Sequence, residues 1–170
     1  MEFKDKTDFA NKNQVIGETR FLRAYYHFEL VKFFGGIPLK GDKRFSVNDE
    51  KSIPRSSTAD VYASIEADLL FAIDNLNPIA SQKGRATKGA AQALLAKVYL
   101  TIGSSIASNA NLYDNAFDKT EMYTKAKMMC DSVYTGTHGY GLTTNYADVF
   151  KEVNENGKED IFSIKFIFYP

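Results

Sequence analysis

Apolar residues recur at helical spacing in the first third of the chain. One stripe, at intervals of four, four and three residues, consists of Leu22, Tyr26, Leu30 and Phe33. A second stripe beside it consists of Phe21, Tyr25 and Phe28. Together they cover more than half of a helix circumference, which predicts a helix over about residues 14–34 with neighbours on two sides. Gly35-Gly36 and Pro38 then end it.

The same periodicity predicts a second helix over residues 58–75. Ser57 precedes Asp60 by three positions, as in a capping box. The apolar seam of this helix consists of Val61, Ile65, Leu69, Ala72 and Leu76. The acidic residues Glu66, Asp68 and Asp74 are expected to face water. Between the first two helices, residues 40–56 are predicted to form a loop.

Two more helices are predicted, over residues 88–102 and 119–134. Thr87 and Asp118 are their N-caps, and Glu121 can pair with Lys125 one turn on. One face of the third helix carries small residues that allow close approach of a neighbour: Gly89, Ala93, Ala96 and Gly103. The fourth helix has the stripe Tyr123, Ala126, Cys130 and Val133. This stripe predicts that Cys130 is a small buried hydrophobe.

The remaining segments predict an insertion and a strand. Residues 103–117 are rich in Ser and Asn, and residues 160–168 alternate apolar and polar positions as a strand does. The fold class is therefore mainly α, with a short β segment at the C-terminus, in a single domain over residues 1–170. Helices that cannot bury their faces alone are typical of stacked helical repeats.

Composition removes several classes of function. The chain has 21 basic and 21 acidic residues, so it lacks the basic field that nucleic acids or anionic membranes require. No run approaches the roughly 18 apolar residues of a bilayer span. A single cysteine excludes an internal disulfide.

No arrangement of residues predicts catalysis, a metal or a cofactor. The two histidines, His27 and His138, are far apart and lack a second ligand at metal-binding spacing. No phosphate-binding glycine loop or nucleophile elbow occurs. Tyrosines in loops can stack on a sugar ring, which makes Tyr113 and Tyr140 candidates for ligand contact. Tyr146 is expected to anchor its loop.

The segment "GETRFLRAYYHFELVKFFGGIPL", residues 17–39, strongly resembles the signature helix of the SusD/RagB family. The matching positions are Glu18, Arg20 to Ala24, Tyr25-Tyr26, Gly35-Gly36, Pro38 and Leu39. "GRATKGAAQALLAKVYL" and "NYADVF…NGKEDIFSIKF" resemble later family segments in the right order. The resemblance covers about residues 12–168.

The resemblance implies tetratricopeptide-like helix pairs and a non-catalytic, surface-exposed receptor for glycans or other nutrients. It also implies an outer-membrane lipoprotein that covers a SusC-like TonB-dependent transporter. Family members are longer and carry a lipid-anchor cysteine, so this chain is expected to be an internal slice or a truncated member. The matching motifs are scaffold motifs and transfer no binding residue.

The aromatic helix is therefore interpreted as a packing seam, with Arg20 and Arg23 paired to acids or backbone carbonyls. An alternative function is a helical-repeat adaptor that binds a peptide or partner protein in a groove. An upstream signal peptide with a lipobox cysteine would favour the receptor, and a natural start at Met1 would favour the adaptor.

Overall fold

The computed structural model describes residues 9–42, 46, 48, 53–108, 117–155 and 157–164. Within these ranges the chain forms four α-helices: α1 (Lys12–Phe34), α2 (Thr58–Asn75), α3 (Lys88–Ala107) and α4 (Lys119–Thr135). Two short 3₁₀ turns follow at Tyr146–Phe150 and Glu152–Asn154. Each helix packs on the next, and α1 touches α3 only slightly.

Side chains that were predicted as caps begin three of the helices. Ser57 Oγ accepts a hydrogen bond from the Asp60 amide of α2 at 3.0 Å. Thr87 does the same for Ala90 of α3, and Asp118 for Glu121 of α4. Each bond satisfies an amide that has no partner within its helix. The predicted starts of these helices are therefore confirmed.

Gly35 ends α1, because its φ of 67° lies in the left-handed region. Arg55 donates to the carbonyl oxygens of Phe34 and Gly36 and so satisfies acceptors at the helix end. A side chain at Gly36 would collide with the backbone of Ser56. These contacts bring the two ends of the 37–56 connection together.

The end of α3 differs from the prediction. The helix continues through Gly103 to Ala107, where the Ser-rich composition had indicated the start of an insertion. Tyr123 of α4 packs directly over Gly103, and Ser105 Oγ donates to the Thr101 carbonyl at 2.8 Å. Tertiary packing therefore outweighs the low helix propensity of glycine and serine.

The core lies between the helices and contains the whole predicted seam of α2. Fully buried large side chains come from α1, α2 and α3: Phe21, Phe28, Val31, Val61, Tyr62, Ile65, Leu69, Leu95, Val98 and Ile102. Each stabilises the fold by roughly 1.5–3 kcal/mol relative to an exposed position. Although α3 is long and apolar enough to cross a membrane, half of it is buried here against its neighbours.

Two faces of α1 have different surroundings, which corrects the expectation of neighbours on both sides. The inner face, with Phe21, Ala24, Phe28 and Val31, is buried. The opposite face, which we call the outer stripe, consists of Leu22, Tyr26, Leu30 and Phe33 and is exposed. Tyr25 lies between them and packs edge-on against Phe162 and Tyr26. Within the described residues the packing seam is one-sided.

Asp68 is buried, with 2% of its surface exposed, although its position on α2 predicted contact with water. Arg23 of α1 donates to both of its carboxylate oxygens, at 2.6 Å each. The same guanidinium donates to Asp42 at 2.6 Å and to the Gly41 carbonyl at 3.2 Å. These bonds raise the pKa of Arg23 and compensate the buried charge. The predicted pairing of Arg23 with acids and a carbonyl is confirmed.

Two further predictions about side chains and segments are wrong. Cys130 is exposed although it lies one turn beyond Ala126, because the buried residues of α4, Met122 and Ala126, are confined to its first half. Residues 160–164, the described part of the predicted strand, form no strand. There, Phe162 packs edge-on against Phe21 at 4.8 Å between ring centroids, which anchors this segment to α1. Residues 165–168 lie outside the described part of the chain.

Candidate functional site

An open groove of about 1510 Å³ runs beside the outer stripe of α1. Leu22 and Tyr26 line it from the helix, Arg85 from the α2–α3 connection, and Phe150 and Phe162 from the C-terminal part. Its apolar rings are surrounded by charged side chains of both signs. Concave surfaces that combine aromatic faces with a few polar groups are typical ligand sites.

An ion pair fixes the α2–α3 connection against α1 at this groove. Arg85 donates to both carboxylate oxygens of Glu18, and Gln14 donates to the same group at 3.0 Å. Burial acts to raise the pKa of Glu18, but the hydrogen bonds from Arg85 and Gln14 outweigh it, so the pKa is lowered. Gln14 also accepts a bond from the Asn77 amide at 3.0 Å. The position of Arg85 is thus set from α1.

A smaller cavity of about 360 Å³ adjoins the groove and contains Tyr140 in its lining. The Tyr140 hydroxyl lies 2.8 Å from Thr87 Oγ1 and also donates to the Ile161 carbonyl at 3.5 Å. Its ring packs at a tilt on His138, with 5.6 Å between centroids. Burial raises the pKa of the hydroxyl, so it remains a neutral hydrogen-bonding group at physiological pH.

The predicted ligand-contact tyrosines have different positions. Tyr140 is half-buried and ties the turn after α4 to the start of α3 while it lines the cavity. Tyr113 lies outside the described residues. Tyr146 is 77% exposed and packs only edge-on against the exposed Phe150, so the expectation that it anchors its loop is wrong.

Sequence reasoning missed Tyr26 and Arg85 as groove residues. Tyr26 belongs to an apolar stripe, and its spacing alone indicated packing. Arg85 stands in a short polar connection, and its partner Glu18 lies 67 positions away. The only signal in the sequence was the unusual apolar coverage of α1 on two sides.

The histidines do not meet in a metal-binding arrangement. Within the described ranges, no group of three or more His, Cys, Asp or Glu side chains could hold a metal ion. His27 is half-buried on α1, and burial together with nearby Arg23 lowers its pKa. Its Nδ1 has no hydrogen-bond partner among the described residues. Both cavities offer binding contacts: aromatic faces, a hydroxyl and charged groups.

The comparisons with known proteins agree on one family. Residues 1–100 match the family model SusD-like_3, described as "Starch-binding associating with outer membrane". A SusD-like protein of Bacteroides ovatus is 34% identical over 159 residues, which is 93% of this chain. The chain spans 27% of the length of that relative.

Solved structures of similar proteins share the fold. A SusD-like protein of Bacteroides fragilis matches with a TM-score of 0.77 and 31% identity over 98% of this chain and 31% of its own. A structure solved with a xylogluco-oligosaccharide matches with a TM-score of 0.77 and 29% identity, over 98% of this chain and 32% of its own.

Proposed function

The chain belongs to the SusD-like family, and we propose on that premise that it is part of a non-catalytic glycan receptor at the bacterial outer membrane. In this proposal the protein holds an oligosaccharide at the cell surface and passes it to a SusC-like TonB-dependent transporter. The helices pair as tetratricopeptide-like units and form the scaffold of the receptor.

The similarity of sequence and fold along nearly the whole chain carries the proposal. Identity of 34% over 93% of the chain extends well beyond the aromatic signature helix. One structure with the same fold holds a xylogluco-oligosaccharide, and the family model describes starch binding. The aromatic and charged lining of the two cavities is compatible with a sugar, because aromatic faces stack on sugar rings and charged groups bond hydroxyls.

Within this chain we place a glycan contact at Tyr140. Of the two predicted residues, Tyr113 and Tyr140, only Tyr140 lies in the described part of the chain. Its ring lines the smaller cavity together with Lys158 and Asp160. These groups offer one apolar face, one cation and one carboxylate to a ligand. Hydrogen bonding of the Tyr140 hydroxyl to Thr87 holds the ring in place.

Calorimetric titration of the purified chain with starch-derived, laminarin-derived and xyloglucan-derived oligosaccharides tests this function. We expect saturable binding to at least one series, and no new reducing ends after prolonged incubation. Tyr140→Ala should weaken binding, whereas Tyr134→Ala, at an exposed tyrosine of α4 outside both cavities, should not. Release of reducing ends would refute the non-catalytic role. Equal affinity in the two variants, with both folded by circular dichroism, would refute the contact at Tyr140.

The transporter partner requires a separate experiment. Membranes that contain a SusC-like transporter should retain the chain after washing, and membranes without the transporter should not. Equal retention on both would contradict the proposed partner. A helical-repeat adaptor is the second candidate, favoured by the exposed outer stripe. It predicts capture of apolar peptides and no response to any glycan.

A further inference from the structure

The smaller cavity and the larger groove differ in charge. Among the described residues, the lining of the smaller cavity contains one carboxylate, Asp160, and three Lys or Arg cations, Lys83, Arg85 and Lys158. The groove shares these four residues and adds one lysine and three acids to its lining, which are Lys151, Glu152, Glu155 and Glu159. Cations therefore outnumber acids only in the smaller cavity, and a recess with an excess of one sign attracts ligands of the opposite sign.

Two of the three cations in the smaller cavity are available to a ligand. Arg85 donates to both carboxylate oxygens of Glu18, so its charge is balanced within the protein. Lys83 and Lys158 are exposed, and neither forms an ion pair with any residue that the structure describes. The single carboxylate, Asp160, accepts a hydrogen bond from Ser163 at 2.7 Å. The cavity thus retains a net positive charge.

The wall of this cavity also holds a polar side chain that the fold leaves unpaired. His138 has only 9% of its surface exposed, and its Nδ1 has no hydrogen-bond partner in the part of the chain that the structure describes. Buried polar atoms without a partner are rare in folded proteins and call for an explanation. The His138 ring packs on Tyr140, the proposed glycan contact. An unpaired nitrogen at this place indicates a site for a polar ligand.

We propose that the smaller cavity binds a sugar unit that carries a carboxylate, so that the ligand is an acidic oligosaccharide. This inference rests on the proposed glycan-binding function and names the class of sugar. The Tyr140 ring provides a face for the sugar ring, while Lys83 and Lys158 attract the carboxylate. A neutral sugar would leave the two cations unused, and a small inorganic anion would leave the aromatic ring unused.

The size of the cavity suits one part of a longer ligand. Its volume of about 360 Å³ lies at the small end of the usual range for ligand sites, roughly 300–1,000 Å³. Residues 83–85 line both this cavity and the open groove, so the two recesses adjoin. The acidic unit would occupy the cavity, and the following units would continue into the groove toward Tyr26 and Phe150.

Calorimetric titration of the 170-residue chain with oligogalacturonate and with its methyl ester tests the class of sugar. The two ligands share their rings and linkages, and only the acid is charged. We expect the acid to bind about tenfold more tightly at low salt, because two partly exposed ion pairs contribute a few-fold each. This advantage should shrink as sodium chloride is added, since salt screens exposed charges.

Lys83→Met and Lys158→Met remove the two charges and keep side chains of similar length. Each should weaken binding of the acid about threefold and leave binding of the ester unchanged. Lys119→Met is the matched control, because Lys119 is also an exposed lysine without an ion pair to the described residues, but it lies outside both recesses. It should change neither affinity. Circular dichroism should be identical for the three variants, because all three positions are on the surface.

Several outcomes would overturn the proposal. Equal affinity for acid and ester would do so, and so would an equal effect of the three lysine substitutions. Inorganic phosphate that competes as well as the acid would indicate a site for any small anion. Binding of neither galacturonate form would also refute the acidic class. If the chain then still binds a starch-, laminarin- or xyloglucan-derived series, the receptor function stands and only the acidic class is lost.

Discussion

Two contact regions of the molecule are built from opposite kinds of residue. One is the α1–α2 interface, and the other consists of the contacts of α3 with α4 and with the turn that follows α4. Between α1 and α2, large side chains fill the space: Phe28 packs edge-on against Tyr62, and Arg23 reaches buried Asp68. Along α3, two glycines provide the space. Gly103 lies under the ring of Tyr123, and Gly89 lies under the turn after α4.

This difference decides which changes each region tolerates. At the α1–α2 interface the fold depends on large side chains that fill the space, so truncating one of them should lower the free energy of unfolding. Along α3 the fold depends on glycines that have no side chain, so adding a side chain there should lower the free energy of unfolding. The polar contacts follow the same division. The Arg23–Asp68 pair is buried on the Asp68 side, whereas Lys125 bonds Glu66 and Glu121 in a partly exposed position.

Truncation of the aromatic core should have the largest effect. Phe28 is fully buried, and Phe28→Ala should lower the free energy of unfolding by about 3–5 kcal/mol through lost burial and a residual cavity. Phe33→Ala, at an exposed ring on the same helix, is the control and should cost less than about 0.5 kcal/mol. Urea unfolding measures both free energies. A loss under 1 kcal/mol for Phe28→Ala would contradict the role of the inner face.

The buried ion pair should have the next largest effect. Arg23→Met leaves the Asp68 carboxylate buried without its bidentate partner and should cost about 3 kcal/mol. The double variant Arg23→Met/Asp68→Leu removes both charges and should recover much of that loss. A double-mutant cycle by urea unfolding measures the coupling. A coupling energy near zero would show that the pair contributes nothing to the α1–α2 interface.

The helices were predictable because their signals are local. Ser57 and Thr87 stand directly before their helices and Gly35 directly after one, and the structure uses each in that way. The burial of Asp68 was not predictable, because it depends on Arg23, which lies 45 positions away. Hydrophobic spacing can assign an acid to the polar side of a helix, but it does not reveal a cation that compensates its burial.

The surroundings of the outer stripe and the cavities were harder to predict for a related reason. The spacing of Leu22 and Tyr26 indicates that both sides of α1 are apolar, but it does not identify what contacts the second side. For Tyr140, its place in a loop indicated an accessible ring, whereas the bond to Thr87, 53 positions away, gives it a structural role as well. Alternation over residues 160–168 likewise indicates a strand only where a partner strand is present.

Addition of a methyl group at the two glycines of α3 should have a moderate effect on stability at Gly89 and almost none at Gly103. A Cβ at Gly89 would lie 2.5 Å from the ring of Tyr140 and 3.0 Å from that of His138. The Thr87 bond and burial restrain these rings, so Gly89→Ala should cost about 2 kcal/mol. At Gly103 the obstructing ring, Tyr123, is 37% exposed and can move. Gly103→Ala should therefore be nearly neutral, since alanine gains up to about 1 kcal/mol in helix propensity. Thermal unfolding ranks the two, and the reverse order would contradict this account.

The smallest effect should come from Asp42, which is the more exposed of the two acidic partners of Arg23, and this effect should depend on pH. The hydrogen bond from Arg23, together with the charges of Arg23 and Arg20, holds the pKa of Asp42 below its usual value, against a smaller opposing effect of burial. A carboxyl group with a lowered pKa stabilises the fold above its unfolded pKa of about 3.9, and this contribution is lost as the pH falls through the lower folded value.

Because solvent screens Asp42, Asp42→Asn should cost only about 0.5 kcal/mol at pH 7. The difference between variant and wild type should then disappear near pH 2, as measured by urea unfolding at several pH values. A difference that persisted unchanged at pH 2, where the carboxyl is protonated, would mean that the cost of Asp42→Asn does not come from the charge of Asp42.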